Sequence, residues 1–303
     1  MQPVSHLALL VLLLVAAGEV IESANPSTCT EEYQGYTEHL HTMCLTDHLG
    51  AVDVPFTQAE KDAAVNFHNE IRANVTPTAS NMQKMVWDDN LAKVAAKWAR
   101  QCQFGHDKNR SQPELNKYGL PVEQNMGAGH SSLTGAINLW YQELPLWVFG
   151  KWTGATGHYI AEIYHASSRI GCGHAKCNDI FGNYWICNYF AGAYSNVDPY
   201  EQGASCSKCP NSCDASGKLC DCGGKFCTNG GTLDLNTCKC QCPRLWTGDE
   251  CEALDCPKKR DFEEYCTYST FTPETFCPTA TVNDAYAKVC PIRCGICPGD
   301  QTG

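Results

Sequence analysis

Cysteine is the residue whose number and spacing carry the most chemistry in this chain. It occurs 22 times in 303 residues, and sixteen of these cysteines follow position 205. Cysteine at this density persists as disulfides in an oxidising compartment, whereas the cytosol keeps thiols reduced. The counts therefore indicate a secreted, extracellular protein with a larger, cysteine-poor body and a short tail. We expect the tail to depend on cross-links because it is too short to bury a core of its own.

The amino terminus agrees with export. Residues 7 to 17 form an unbroken apolar run, which is the length of a signal-peptide core and too short to span a bilayer. The small residues Ala16 and Gly18 place cleavage after Gly18, so we assign residues 1–18 to a signal peptide and expect no transmembrane segment elsewhere. Two sequons make Asn74 and Asn109 candidate glycosylation sites.

The charge of the chain restricts its partners. A formal net charge of −11 disfavours nucleic acid and anionic membrane surfaces, since both repel an acidic protein. We expect an extracellular protein, a channel or a lipid as the target, no nucleic acid, and a monomeric state.

The elements that must position any site are a mixture of helices and strands. A capping box at Thr57 and Glu60 predicts one helix, and apolar periodicity predicts a second from Trp87 to about Cys102. A third helix is expected near Thr134. Residues 170–194 alternate short apolar segments with glycines, as buried antiparallel strands do. The fold class is therefore α+β, with a sandwich of helices and sheet.

Six fragments along the chain resemble the CAP (SCP) domain of cysteine-rich secretory proteins, insect venom antigens and plant pathogenesis-related proteins. They occur in the order and spacing of that domain, which implies an α-β-α sandwich over residues 57–200. The fragments are His68-Asn69-Glu70-Ile71-Arg72, Cys102-Gln103-Phe104-Gly105-His106, Gln124-Asn125-Met126, Trp140-Tyr141-Gln142-Glu143, Gly157-His158-Tyr159 and Cys187-Asn188-Tyr189.

Further resemblances divide the remaining chain. Residues 19–56, with Cys29 and Cys44, are similar to the N-terminal extension of venom antigens. Residues 201–221 resemble the cysteine-rich hinge that follows the CAP domain, residues 222–252 an EGF-like module, and residues 253–303 a ShK-like module. The third EGF cysteine lies late and the calcium signature is missing. This domain order is similar to that of invertebrate cysteine-rich venom proteins, those of cone snails among them.

Each of these modules contains an even number of cysteines, so pairing within modules is the simplest arrangement, although the sequence leaves the connectivity open. The cysteines before residue 200 are Cys29, Cys44, Cys102, Cys172, Cys177 and Cys187. Those of the hinge are Cys206, Cys209, Cys213 and Cys220. The EGF-like module has Cys222, Cys227, Cys238, Cys240, Cys242 and Cys251, and the ShK-like module has Cys256, Cys266, Cys277, Cys290, Cys294 and Cys297.

The resemblance to the CAP domain also implies a divalent-ion site in a central cleft. The matching residues are His106, Gln124, Glu143 and His158. Two imidazoles and a carboxylate can hold zinc with a water, and calcium is the alternative ion. Gln124 stands where the family has glutamate, and a neutral amide is a poor zinc ligand. A helical Glu162, one turn beyond His158, would partly compensate.

Three classes of function stay open. The first, and our main interpretation, is a binding protein of a venom or glandular secretion. The second, implied by cone-snail relatives, is a calcium-dependent endoprotease that processes secreted precursors, with Glu143 and His158 acting on a water. The third is an ion-channel modulator that uses the ShK-like tail, although Tyr286 and Lys288 are two residues apart rather than adjacent.

Other conspicuous residues have structural interpretations. We expect His68 to be a packed, hydrogen-bonded helix residue, and His165 and His174 to lie on the surface. The aromatic residues between 140 and 152 fit core or rim packing, with a lipid groove as the alternative; they are Trp140, Tyr141, Trp147, Phe149 and Trp152.

Overall fold

The computed structural model describes residues 33, 41–110, 121–192, 197–257, 261–268, 270, 272–277, 286 and 289–298. The predicted signal peptide, Cys29 and Lys288 lie outside these residues. Within them, four helices and a five-stranded sheet form the body of the protein, and short two-stranded sheets form the tail.

The central sheet is built on two long antiparallel strands, β4 (Arg169–Lys176) and β5 (Asn183–Phe190), which pair over their full length. Strand β3 (Glu123–Ala128) pairs antiparallel with the outer side of β5. Two short strands share the other side of β4: β1 (Val52–Asp53) runs antiparallel to it, and β2 (Val86–Trp87) runs parallel. The strands predicted between residues 170 and 194 are thus confirmed.

Helix α1 (Gln58–Ala73) begins where the sequence predicts. Its N-cap Thr57 accepts a hydrogen bond from the backbone N–H of Glu60, and the Glu60 carboxylate accepts one from the backbone N–H of Thr57. These reciprocal bonds satisfy two N–H groups that the first turn would otherwise leave unpaired.

Helix α2 (Asp89–Ala99) covers one face of the sheet and is shorter than predicted. Trp87 belongs to β2, and Asp88 is the N-cap, accepting from the backbone N–H groups of Asn90 and Leu91. The helix lies directly on β4 at two glycines. A Cβ on Gly171 would come within 2.2 Å of the Ala92 nitrogen, and one on Gly173 within 2.0 Å of the Ala96 nitrogen.

Helices α3 (Leu133–Tyr141) and α4 (Gly157–Ile163) join α1 on the opposite face. Helix α3 starts at N-cap Ser132, two residues before the predicted Thr134. The large core of this face contains Ile71, Ile137, Trp140, Ile160, Ile170 and Tyr189. The predicted α-β-α sandwich is confirmed, because helices cover both faces of one sheet.

The tail contains the two-stranded sheets β6 (Thr232–Asp234) with β7 (Lys239–Gln241) and β8 (Trp246–Thr247) with β9 (Ala253–Leu254). A one-turn helix, α5 (Pro273–Phe276), follows.

Eight disulfides cross-link the described part of the tail: Cys206–Cys213, Cys209–Cys220, Cys222–Cys238, Cys227–Cys240, Cys242–Cys251, Cys256–Cys297, Cys266–Cys290 and Cys277–Cys294. In the body, Cys102 pairs with Cys177 and Cys172 with Cys187. Cys44 is also disulfide-bonded.

The start of the tail is docked on the body. Cys220 donates its N–H to the Met82 carbonyl at 2.8 Å and accepts from the Lys84 N–H at 2.8 Å, as an added strand would. Beyond it, the Phe226 ring packs edge-on against Phe190 with centroids 4.8 Å apart. The Arg169 guanidinium lies 4.6 Å over the Phe226 ring. The first tail residues therefore extend the packed body.

None of the helices in the described part of the chain combines the length and apolar run that crossing a bilayer requires.

Candidate functional site

The four residues that the CAP resemblance singles out come from four different elements. His106 lies in the loop after α2, Gln124 in β3, Glu143 just after α3, and His158 in the first turn of α4. They form two hydrogen-bonded pairs at the side of the sheet where β3 is the last strand.

The first pair joins His158 to Glu143. Nδ1 of His158 lies 2.6 Å from Oε1 of Glu143, and the second carboxylate oxygen accepts from the backbone N–H of Tyr159 at 3.0 Å. The Trp140 ring lies nearly parallel to the imidazole, with centroids 6.4 Å apart. The hydrogen bond to the carboxylate fixes the orientation of the His158 ring.

The second pair joins His106 to Gln124. Oε1 of Gln124 accepts the backbone N–H of Asp107 at 3.0 Å and lies 3.2 Å from Nδ1 of His106. The amide nitrogen of Gln124 donates to Oδ1 of Asn188 at 2.9 Å. Because a backbone N–H only donates, these contacts fix which side of the amide is oxygen.

Both imidazoles are consequently held in the same tautomer. A carbonyl oxygen and a carboxylate oxygen only accept hydrogen bonds, so Nδ1 carries the proton in His106 and in His158. In the neutral rings Nε2 is then an acceptor. Neither Nε2 atom has a hydrogen-bond partner among the described residues.

The described residues do not fit a metal site with three or four protein ligands. Nowhere among them do three His, Cys, Asp or Glu side chains gather closely enough to hold an ion. Glu143 and Gln124 instead use their oxygens to orient the two histidines, which is the role of partners outside a ligand shell. Glu162 cannot compensate, as its side chain is fully buried and lines no part of the cleft.

His106 and His158 stand between two cavities, since both residues line each of them. The larger cavity has a volume of about 710 Å³ and the smaller about 220 Å³. The larger is mainly apolar; its walls include Phe104, Met126, Leu139, Trp140, Leu146 and Phe181, with Glu143 and His130 among the polar residues. The smaller is more polar and includes Glu123, Gln124, Asn125 and Trp152. We call the two cavities together the cleft.

The mouth of the larger cavity exposes apolar side chains that the sequence did not single out. Phe104 is 66% exposed and Leu146 62%, while Phe181 stacks on Phe104 with ring centroids 5.5 Å apart. The Cys102–Cys177 disulfide joins the two loops that carry these phenylalanines. Phe104 lies inside a family motif, but no local sequence signal connects it with Phe181.

A buried polar network lies behind the cleft. The Asn125 amide donates to the His158 carbonyl at 2.9 Å and to the Tyr189 hydroxyl at 3.2 Å. The hydroxyl lies 3.0 Å from Nε2 of His68, whose Nδ1 bonds the Ala64 carbonyl at 2.8 Å. His68 is therefore the packed, hydrogen-bonded helix residue that we predicted, and burial lowers its pKa to about 4.

Three other expectations can be compared with the structure. The surface position predicted for His174 is wrong: the ring is buried and stacks on Trp185, with centroids 3.7 Å apart. His165 is partly buried, and its Nδ1 has no partner in the described chain. Trp140 and Trp147 belong to the core, with Tyr141, Phe149 and Trp152 packed against it, so this aromatic cluster is mainly core packing.

The cleft lacks an obvious nucleophile. No serine, threonine or cysteine of the described chain lines either cavity. Ser132 serves as the N-cap of α3. The histidine–carboxylate pair has the geometry of a general base with its orienting group, but a hydrolase of this kind would have to act on a water molecule.

Comparison with known proteins identifies the family to which this architecture belongs. The model of the cysteine-rich secretory protein (CAP) family matches residues 65–189. The cysteine-rich venom protein Mr30 of Conus marmoreus is 42% identical, covering 98% of this chain and 99% of the relative. A cysteine-rich venom protein of Conus textile is 39% identical, with 98% of each chain covered. Human cysteine-rich secretory protein 3 is 37% identical over 52% of this chain and 67% of its own length.

Among solved structures, the hookworm platelet inhibitor covers 55% of this chain and 92% of its own, at 21% identity and a TM-score of 0.45. The family match and the two Conus relatives, which align over almost the whole chain, establish the family. The chain belongs to the cysteine-rich secretory protein (CAP) family and is an extracellular protein of the venom type.

Proposed function

We propose that this protein works by binding an extracellular target in the cleft. The observation that carries the proposal is an apolar cavity with an exposed apolar mouth and no described serine, threonine or cysteine in its walls. Concave, mainly apolar sites with a few oriented polar groups are typical of ligand binding.

The exposed mouth supports binding because apolar side chains in contact with water gain free energy when a partner covers them. Phe104, Leu139, Leu146 and Phe181 are all at least 40% exposed and line one cavity. Single exposed apolar residues are ordinary on a protein surface, whereas a group around one cavity is typical of an interaction site.

Rigidity of the cleft supports the same function. The Cys102–Cys177 disulfide fixes the Phe104 and Phe181 loops, and hydrogen bonds fix both imidazoles. A site that is already ordered loses less conformational entropy when it binds.

An array of peptides and lipids tests the proposal directly. We expect wild-type protein to retain a subset of these ligands, and the double variant Phe104→Ser, Phe181→Ser to lose them. Tyr268→Ser is the matched control, since Tyr268 is 55% exposed but lies in the tail. Retention that survives the double variant, or that is lost in the control, would contradict binding in the cleft.

A calcium-dependent endoprotease is the second candidate, because the His158–Glu143 pair could activate a water. Incubation with a peptide library, with and without calcium and a chelator, separates the two functions. Under our proposal we expect no turnover. Cleavage that disappears in both Glu143→Gln and His158→Ala would replace binding by proteolysis as the function of the cleft.

We further propose that the segments after the body are a hinge (201–221), an EGF-like module (222–252) and a ShK-like module (253–303). Every described disulfide after residue 200 joins two cysteines of the same segment, which supports this division. Channel modulation through the last module stays a proposal too. It requires that truncation after Cys251 abolish any effect in electrophysiology.

Glycosylation at the two sequons is also proposed. Asn74 is exposed at the end of α1, where its side chain accepts a hydrogen bond from Lys218 at 2.8 Å, and Asn109 is partly buried. We expect mass spectrometry of the secreted protein to find the glycan mainly on Asn74, because its side chain is the more accessible.

A further inference from the structure

We propose that the ligand group received by the larger cavity is a lysine side chain of the partner protein. The cavity has mainly apolar walls that also include His106, Glu143 and His158, and a lysine combines an alkyl stem with a head that only donates. The inference rests on the proposed binding function and specifies the chemistry of the target.

Polar residues in the walls supply the acceptors. Nδ1 of His106 and of His158 is committed to Gln124 and Glu143, so Nε2 is the remaining polar atom of each ring, and it accepts a hydrogen bond when the ring is neutral. The Glu143 carboxylate adds negative charge at the same wall. An ammonium group, with three N–H donors and one positive charge, matches two lone pairs and a carboxylate.

Neither cavity is lined by a lysine or an arginine of the described chain that would compete with such a ligand, and the smaller cavity adds the acidic Glu123. The chain as a whole carries a formal net charge of −11. This charge steers basic partners toward the protein and repels acidic ones.

The walls of the cavity fit the rest of the side chain. Lysine buries its four-carbon stem along apolar surface while its head keeps polar contacts. Phe104 and Phe181 at the mouth, with Leu139 and Leu146 beside them, provide that surface. A carboxylate ligand would instead face two lone pairs and Glu143, which repel it, and a hydroxyl would offer only one donor.

Three pentapeptides that differ only at the central residue test the proposal: one carries lysine, one norleucine and one glutamate. Norleucine keeps the stem and lacks the charge. We would measure binding by calorimetry with a chelator present, so that a bridging metal cannot contribute, and record the imidazole Nε2 signals by NMR. We expect the lysine peptide to bind about tenfold more tightly than the norleucine peptide, with shifts at His106 and His158.

Glu143→Gln should lower the affinity for the lysine peptide about tenfold and leave that for the norleucine peptide unchanged. Glu274→Gln, which removes one negative charge from an exposed position in the tail, is the matched control and should change neither. If Glu143→Gln lowers the melting temperature, the three peptides on wild-type protein decide the question alone.

Equal or tighter binding of the norleucine peptide would overturn the lysine proposal and leave apolar binding in the cleft intact. Preference for the glutamate peptide would overturn it as well, as would the absence of binding by all three peptides at millimolar concentration. The array experiment tests the cleft itself, so the two ideas can fail separately.

Discussion

Arg72 and Glu162 are both buried and ionisable, but only the Arg72 side chain forms hydrogen bonds in the described chain. All five N–H groups of Arg72 point to carbonyl oxygens, two of them to Gln83 and the others to Glu162, Tyr164 and His165. The Glu162 carboxyl is equally buried, yet neither of its oxygens has a hydrogen-bond partner in the described chain, and Oε1 lies 4.0 Å from Nε2 of His68. The charged head of Arg72 is therefore solvated by backbone, whereas a charge on Glu162 would not be solvated.

The first prediction concerns Glu162 and pH. Burial, and then the charge of Glu143, raise the pKa of Glu162 well above its ordinary value. At pH values between the ordinary pKa of a glutamate, about 4.3, and this raised pKa, the folded protein keeps a proton that the unfolded chain has lost. The unfolded state then binds fewer protons, so the free energy of unfolding falls by about 1.4 kcal/mol per pH unit as pH rises. We expect the free energy of unfolding of Glu162→Gln to lack this decrease with rising pH.

Denaturant unfolding of wild type and Glu162→Gln over a pH series from about pH 5 upward measures the effect, with Glu274→Gln as the control. Burial lowers the pKa values of His68 and His165 to about 4. Both histidines are present in wild type and in Glu162→Gln, so the difference between the two pH slopes reports Glu162. Identical pH slopes for wild type and Glu162→Gln would show that Glu162 is ionised in the folded protein.

The second prediction concerns Arg72. Replacing it by lysine keeps the charge but supplies three donors instead of five and loses the planar geometry. We expect Arg72→Lys to lower the free energy of unfolding by about 3 kcal/mol, since buried carbonyls lose their partners. Arg244→Lys is the control, because Arg244 is exposed in the tail and makes one ion pair there with Glu263. Equal stability of Arg72→Lys and wild type would contradict this account.

At the scale of elements, the distance between α2 and the sheet is set by Gly171 and Gly173. Both glycines lie on β4 and face the helix, while Ile170 and Cys172, which alternate with them along the strand, face the opposite core. The alternation follows from the period of two along a strand. The same helix carries Leu91 and precedes the His106 loop, so its position affects one wall of the cleft.

Gly173→Ala should prevent stable folding, because the added Cβ would meet helix backbone that cannot move independently. We expect low secretion and a melting temperature reduced by more than about 10 °C where protein is recovered. Gly154→Ala is the matched control, since nothing lies within 4 Å of a Cβ at that glycine. Normal melting of Gly173→Ala would show that α2 can shift away from the sheet.

At the scale of the whole molecule, the tail is attached to the body by packing as well as by the chain. Phe226 contacts the small core of Leu91, Val122 and Phe190, and Lys84 forms an ion pair with Asp221 at 2.7 Å. The ion pair is partly buried and contributes little by itself. The aromatic contact removes apolar area from water and adds to the backbone hydrogen bonds that Cys220 makes with Met82 and Lys84.

Limited proteolysis tests this attachment. We expect Phe226→Ser to raise the rate of cleavage between residues 215 and 230 by about tenfold, because the segment can then leave the body more often. Tyr268→Ser should leave the rate unchanged. Slow cleavage in Phe226→Ser would show that the hinge disulfides and the backbone hydrogen bonds of Cys220 hold the segment without this aromatic contact.

The sequence by itself determined the properties that local patterns encode. Cysteine density indicated secretion, Thr57 and Glu60 marked the start of α1, and the ordered motifs identified the CAP sandwich. Helix ends were less accurate, since the apolar periodicity of α2 ran into Trp87, which pairs with β4 instead. The sequence also indicated four candidate site residues, although only through resemblance to a family; they are His106, Gln124, Glu143 and His158.

Only the tertiary structure decided how those residues are used. It showed that Glu143 and Gln124 orient the imidazoles, that Glu162 turns into the core, and that Phe104 and Phe181 form one mouth. It also showed that His174 is buried, although no motif in the sequence around this residue predicts burial. The physical reason is that proton positions, burial and cavity walls depend on contacts between residues far apart in the chain, and no local pattern records those contacts.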